Sequence, residues 1–192
     1  MKPLADKIKK YAKIWKICLY GGLMRRLAFR FNFVLMVIGV FLQMALVLIF
    51  IKVIFGFINN LAGWSFNQAL MVVASYMLVE GLMWATCAYL GGISENIRRG
   101  TLDSLLIKPV GTQFLASVQR ADPEDWARVV TAIIIFIYGF KNLGLPGFDL
   151  LINIIFYILL IFSAYVIIYS ITLIVKSISF WVIESGSLWS II

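Results

Sequence analysis

An all-α membrane protein is the fold class this sequence predicts, on three grounds. Of 192 residues 62% are hydrophobic and only 14% charged, where a soluble chain carries about a quarter charged residues. The apolar residues collect in uninterrupted runs long enough to cross a bilayer. The 17 basic side chains, against 9 acidic ones, mostly flank those runs. A net charge of +8 without histidine therefore points to membrane orientation and anionic lipid rather than to nucleic acid. Cys18 and Cys87 lie far apart in apolar context, give neither a disulfide framework nor a metal spacing, and are expected to pack.

A single domain over residues 1–192 is expected, with neither internal repeat nor low-complexity linker. Residues 2–28 predict an amphipathic helix in the headgroup region. Leu4, Ile8, Tyr11, Trp15 and Leu19 recur at helical steps, with Lys9, Lys13 and Lys16 opposite. Tyr11 and Trp15 fall on its apolar face rather than among the lysines, which argues against nucleic-acid binding. No small-residue cleavage site follows the first apolar run, so a retained signal-anchor helix is expected. Residues 31–55 predict the first span, carrying Gln43, and residues 69–91 the second, with Glu80 at its middle. Between them "INNLAGWSFNQ" supplies turn residues and an interfacial tryptophan. Residues 93–120 predict a polar loop. In "ADPEDWARVV" Asp122 is the expected N-cap, with Pro123 at the first helical position and Glu124 and Asp125 complementing the helix dipole. The third span is short, residues 126–142, and "GFKNLGLPGFD" turns the chain into the fourth, residues 150–175. After Lys176 an aromatic, interfacial piece follows.

The distribution of lysine and arginine orients this arrangement. Nine lie in the N-terminal segment, five from Glu95 to Arg128, and Lys176 adds one on the same side; only Lys52 and Lys141 lie opposite. Fifteen against two places the N-terminus and the polar loop in the cytoplasm.

Missing parts exclude most chemistry. Without histidine there is no Ser–His or Cys–His pair, no imidazole base and no H-E-x-x-H zinc site. No G-x-x-x-x-G-K-[ST] phosphate cradle is present. The chain is expected to be no enzyme, with no catalytic residue, cofactor or metal of its own. Glu80 is the exceptional residue in lipid. It is expected either to carry a proton or bind a cation, or to be neutral or hydrogen-bonded to Tyr76 or to a polar group on a neighbouring helix. Gln43 is its possible partner, or simple interhelical glue.

The polar loop holds "ENIRRGTLDSLLIKPV", Glu95–Val110. Arg98 and Arg99 end one helical piece, Gly100 breaks it, and Thr101 can cap another that runs until Pro109. A two-turn helix is expected, presenting Leu102, Leu105 and Leu106 beside Asp103 and Lys108. Leucines rimmed by charge suit a groove on a partner protein; alternatively the helix lies on the bilayer as a connector.

This run resembles the "I-R-x-G-x-L-D-x-L-L-x-x-P" pattern of a bacterial subfamily of type-2 ABC transporter permeases. The matching residues are Ile97, Arg98, Gly100, Leu102, Asp103, Leu105, Leu106 and Pro109. "GWSFNQAL", "DPEDWARVV" and "SFW" agree in order and spacing, so the likeness covers essentially the whole chain. It implies an elbow helix, six membrane helices, and a cytoplasmic coupling helix between the second and third. It also implies a separate cytosolic ABC ATPase that binds ATP and Mg, docks on that helix and drives export, and a second permease, identical or related. A bacterial inner-membrane, multi-pass location is implied too. Only four spans are present, so the sequence is expected to lack the family's C-terminal third. Rival readings are a non-transporting membrane scaffold that recruits a cytosolic partner, and a small proton- or cation-coupled transporter using Glu80.

Overall fold

A computed structural model of the chain describes residues 2–58, 60–119, 122–142, 147–178 and 181. Among these residues all regular elements are helical. In chain order they are α1 (Lys2–Leu27), α2 (Arg30–Phe57), α3 (Phe66–Cys87), α4 (Ile93–Arg98), α5 (Asp103–Leu106), α6 (Thr112–Val118), α7 (Asp125–Lys141) and α8 (Gly147–Ser177), with a 3-10 turn, Ala88–Gly92, after α3. Among the described residues three helical stretches are long and apolar enough to cross a membrane: Arg30–Phe57, Phe66–Cys87 and Leu151–Ser177. The short α7, 17 residues long, spans only about 26 Å at 1.5 Å per residue, less than a bilayer core of about 30 Å. The expected aromatic piece after Lys176 and the glycine–proline part of the turn before α8 fall largely outside the described residues.

Two compact units emerge. One comprises Met1–Phe29, Met83–Pro123 and Ile167–Ile192; the other comprises Arg30–Leu82 and Glu124–Val166.

The second unit is a helix packing built on spacing. On α7 the buried residues are Asp125, Arg128, Val129, Ala132, Ile135 and Gly139, the three- and four-residue steps of one helical face. On α3, Leu70, Ala74 and Met77 keep the same rhythm, and with Met44 of α2 and Ala132 and Ile135 of α7 they form the core. Glycines let α3 and α7 approach closely. A Cβ at Gly81 would lie 3.0 Å from the Val129 side chain and 3.2 Å from its backbone nitrogen. One at Gly139 would lie 2.9 Å from Met71. Small residues at such crossings are the usual device of membrane helices, where packing rather than water drives association. The α8 helix joins through Tyr157, whose ring stacks on Phe136 at 3.9 Å and whose hydroxyl lies 3.0 Å from Ser75. Between α2 and α3 the chain reverses in a two-residue hairpin closed by Leu61 and Trp64. Ala62 and Gly63 both take positive φ there, as that tight turn requires.

In the first unit α1 lies against α6, and α6 against the 3-10 turn. Tyr11 packs edge-on against Phe114 at 4.8 Å. Part of the α1 face expected to lie in lipid is thus turned onto protein, while Ile8 stays exposed.

Candidate coupling segment and the polar cluster of the helices

The segment from Ile93 to Asp122 is built as three short helices separated by designed breaks. Ion pairs end the first. Glu95 accepts from Arg98 at 2.7 Å and from Arg99, and these hydrogen bonds, Arg98's foremost, hold its carboxyl at about 2. Gly100 then takes φ +66°. Thr101 N–H reaches back to the Asn96 carbonyl at 2.9 Å and Gly100 N–H to that of Ile97 at 3.1 Å. That pair of bonds is the glycine-terminated helix stop known as a Schellman motif.

Thr101 does not cap the next helix. Its hydroxyl turns back to the Asn96 side chain at 3.1 Å, and Ser104 bonds the Thr101 carbonyl instead. The expected two-turn helix is accordingly a single turn, α5, four residues long. Leu105 is buried, 1% exposed, whereas Leu106 is 59% and Ile107 85% exposed. Leu102 is half-buried and Asp103, Lys108 and Pro109 are exposed. The outward apolar tip is therefore Leu106 and Ile107, beside Lys108. The unforeseen α6 follows and buries Leu115, Ala116, Ser117 and Val118, which fixes the far end of the segment. Gln113 and Ser117 both bond the Tyr169 hydroxyl, at 3.2 and 2.8 Å.

The α1 helix grips this segment at several points. Lys10 Nζ donates to the Pro109 carbonyl at 3.0 Å, and Gly111 N–H donates to the Tyr11 hydroxyl at 3.3 Å. Arg25 donates to the Gln119 carbonyl at 3.4 Å. Arg26 pairs with Asp122 at 2.6 Å, both side chains largely covered. Asp122 thus serves α1 rather than capping α7, which begins at Asp125 without a side-chain cap. Half-buried Cys18 also faces this segment. Burial pushes its thiol up, opposed by the charges of Lys108 and Arg25.

In the second unit Glu80 and Gln43 converge on one residue near the start of the expected third span, which the sequence marks only as a flanking charge. Arg128 Nη1 lies 3.0 Å from Glu80, Nη2 3.0 Å from the Gln43 amide oxygen and 3.5 Å from Asp125. One guanidinium, its side chain only 10% exposed, thereby joins α2, α3 and α7. The Tyr76 hydroxyl bonds the Glu80 carboxylate as well. A planar five-donor group suits such a three-way junction better than an ammonium would. Glu80 and Gln43 each bond Arg128. The signal that could have found it was the Asp125–Arg128 step at a helix start opposite an intramembrane acid. Among the described residues no group of three or more His, Cys, Asp or Glu could hold a metal ion.

A multi-pass helical membrane protein with a broken, charged segment between its second and third long apolar stretches is the class these features define. The chain belongs to the family described as "ABC-2 family transporter protein", whose model matches residues 41–192. Membership implies a permease role in transport and association with an ABC ATPase subunit. Neither curated proteins nor solved structures gave a match.

Proposed function

We propose that this chain is the membrane permease subunit of an ATP-driven exporter, and that the Leu106–Ile107 tip is where a separate ABC ATPase docks. The observation that carries the reading is the tip itself. Two large apolar side chains stand exposed at the end of a one-turn helix whose neighbours are tied down on both sides. Such residues rimmed by Asp103, Lys108, Arg98 and Arg99 fit a groove on a soluble partner. ATP and Mg belong to that partner, and this chain contributes no catalytic residue.

In this reading α7 is a short third span, so the chain crosses four times, with the N-terminus and the tip in the cytoplasm of a bacterial inner membrane. A second permease, identical or related, completes the pathway. Nucleotide binding in the ATPase displaces the tip. The contacts from Lys10, Tyr11, Arg25 and Arg26 keep the segment from absorbing that displacement as local bending. The push then tilts the helices that line a pathway between the two permeases, a rigid-body switch. Glu80, closed in an ion pair with Arg128, acts in this scheme as a bridge between helices rather than as a proton carrier.

Co-purification from the native membrane tests the assignment. An ABC ATPase, recognised by its phosphate-binding loop, is expected to accompany the wild type and to be lost with Ile107→Asp, which changes an exposed side chain without opening the core. Equal recovery of the ATPase with both would refute the docking site.

A further inference from the structure

We infer that the second unit holds one anionic phospholipid in a groove formed by α2, α3 and α7. The groove encloses about 480 Å3 and is walled by Leu48, Phe66, Leu70 and Ile135, with Lys52 and Tyr138 at its rim. That volume lies within the range of small-molecule sites, about 300–1,000 Å3, and in an open groove it accommodates part of a lipid, the remainder lying along the helices.

The polar and apolar residues are graded along the helices. Lys52 lies one and a half turns from the end of α2, Tyr138 one turn from the end of α7, and Phe66 opens α3. All three therefore sit toward the same end of their helices. Leu48, Leu70 and Ile135 each lie about one turn further in, roughly 4.5–6 Å along the axis. The groove thus carries its polar groups, Lys52 and Tyr138, at the helix ends beside Phe66 and is apolar below, the pattern of a phosphate headgroup above its acyl chain.

The cation is what selects the ligand. Among the described residues the Lys52 ammonium has neither an ion-pair nor a hydrogen-bond partner, and the same holds for the Tyr138 hydroxyl. Lys52 belongs to the most apolar of the membrane-length helices, mean hydropathy 2.9. An ammonium there reaches toward the interface on its four-carbon stem, and a lipid phosphodiester supplies the countercharge with Tyr138 as a second donor. A lysine near a membrane surface favours an anionic lipid by about fivefold over a neutral one. This inference stands on the second unit alone and is independent of the ATPase docking reading.

Photolabelling of the full chain in phosphatidylcholine vesicles tests it. The probe is phosphatidylglycerol, as a minor component, with a photoactivatable group in its acyl chain. Adducts mapped by mass spectrometry are expected on the groove-wall residues of α2, α3 and α7. They are expected to fall about fivefold with Lys52→Gln, to survive Lys52→Arg and Lys141→Gln, and to be weak when the probe is a phosphatidylcholine. A deacylated glycerophosphoglycerol should not compete. Undiminished labelling of the wall in Lys52→Gln, equal labelling by the two lipids, or full competition by the headgroup alone would each overturn the inference.

Discussion

Replacing Arg128 tests the polar junction most sharply. At 3.0 Å from Glu80 and an effective dielectric of about 20, the gross attraction is about 5–6 kcal/mol. Most of that is offset by taking the two groups out of water, so the net value of the pair is far smaller. Losing one partner is different, because the other charge stays behind without compensation, at a cost of about 3–5 kcal/mol for a buried pair. Glu80 keeps the hydrogen bond from the Tyr76 hydroxyl, which places the cost of Arg128→Gln near the lower end, about 3 kcal/mol. For a chain of this size that lowers the midpoint of thermal unfolding by about 6–12 °C. Glu80→Gln should cost less, since Arg128 keeps Asp125 and Gln43. The Glu80→Gln, Arg128→Gln double variant should be more stable than the sum of the two predicts, by about 1–3 kcal/mol. Circular dichroism of the purified chain in micelles, melted in all four forms, measures this. Additivity within about 0.5 kcal/mol would refute the argument that these residues form one unit.

Further outcomes follow from other contacts. Gly81→Val should destabilise by about 1–3 kcal/mol, because its Cβ meets Val129 at 3.0 Å. Gly39→Ala, with nothing within 4 Å of its Cβ, should be neutral or stabilising by up to about 1 kcal/mol; thermal melts compare them. Tyr11→Ala removes both the Phe114 contact and the acceptor of Gly111 N–H. It should speed hydrogen exchange at residues 110–115 without changing that of α7, as read by mass spectrometry. The Glu95 carboxyl, held at about 2, should titrate there by carboxyl NMR and move toward about 4.3 when Arg98 and Arg99 are both glutamine. Since its folded-state value is depressed, its contribution to α4 is complete above about 4.3, the unfolded value. It is lost as pH falls through about 2. Being exposed, this contribution should also weaken with salt.

The long helices could be read in the sequence because lipid leaves the backbone few alternatives, and bilayer-length apolar runs fix α2, α3 and α8 to within a few residues. The breaks were legible too, since Gly100 and Pro109 act locally. What lay between them was not. A four-residue helix and the seven-residue α6 are too short for periodicity to separate inward from outward positions. Leu105 therefore looked equivalent to Leu106, although only one of them meets the rest of the first unit. Arg128 was hidden for a different reason. A basic residue before an apolar run reads as a flanking charge, and only the pairing of α7 with α2 and α3 brings it to Glu80 and Gln43. Asp122 reads as a helix cap by the same local logic, yet a cation about one hundred residues away claims it.

One experiment bears most directly on the account as a whole: placing a photoactivatable amino acid at position 107 and irradiating intact cells. A covalent adduct with an ABC ATPase is the expected product, absent when the same amino acid occupies position 141. If irradiation yields no ATPase adduct at 107, and a membrane-impermeant reagent modifies Ile107→Cys from outside the cell, the tip faces away from any cytosolic motor and the proposed coupling is wrong.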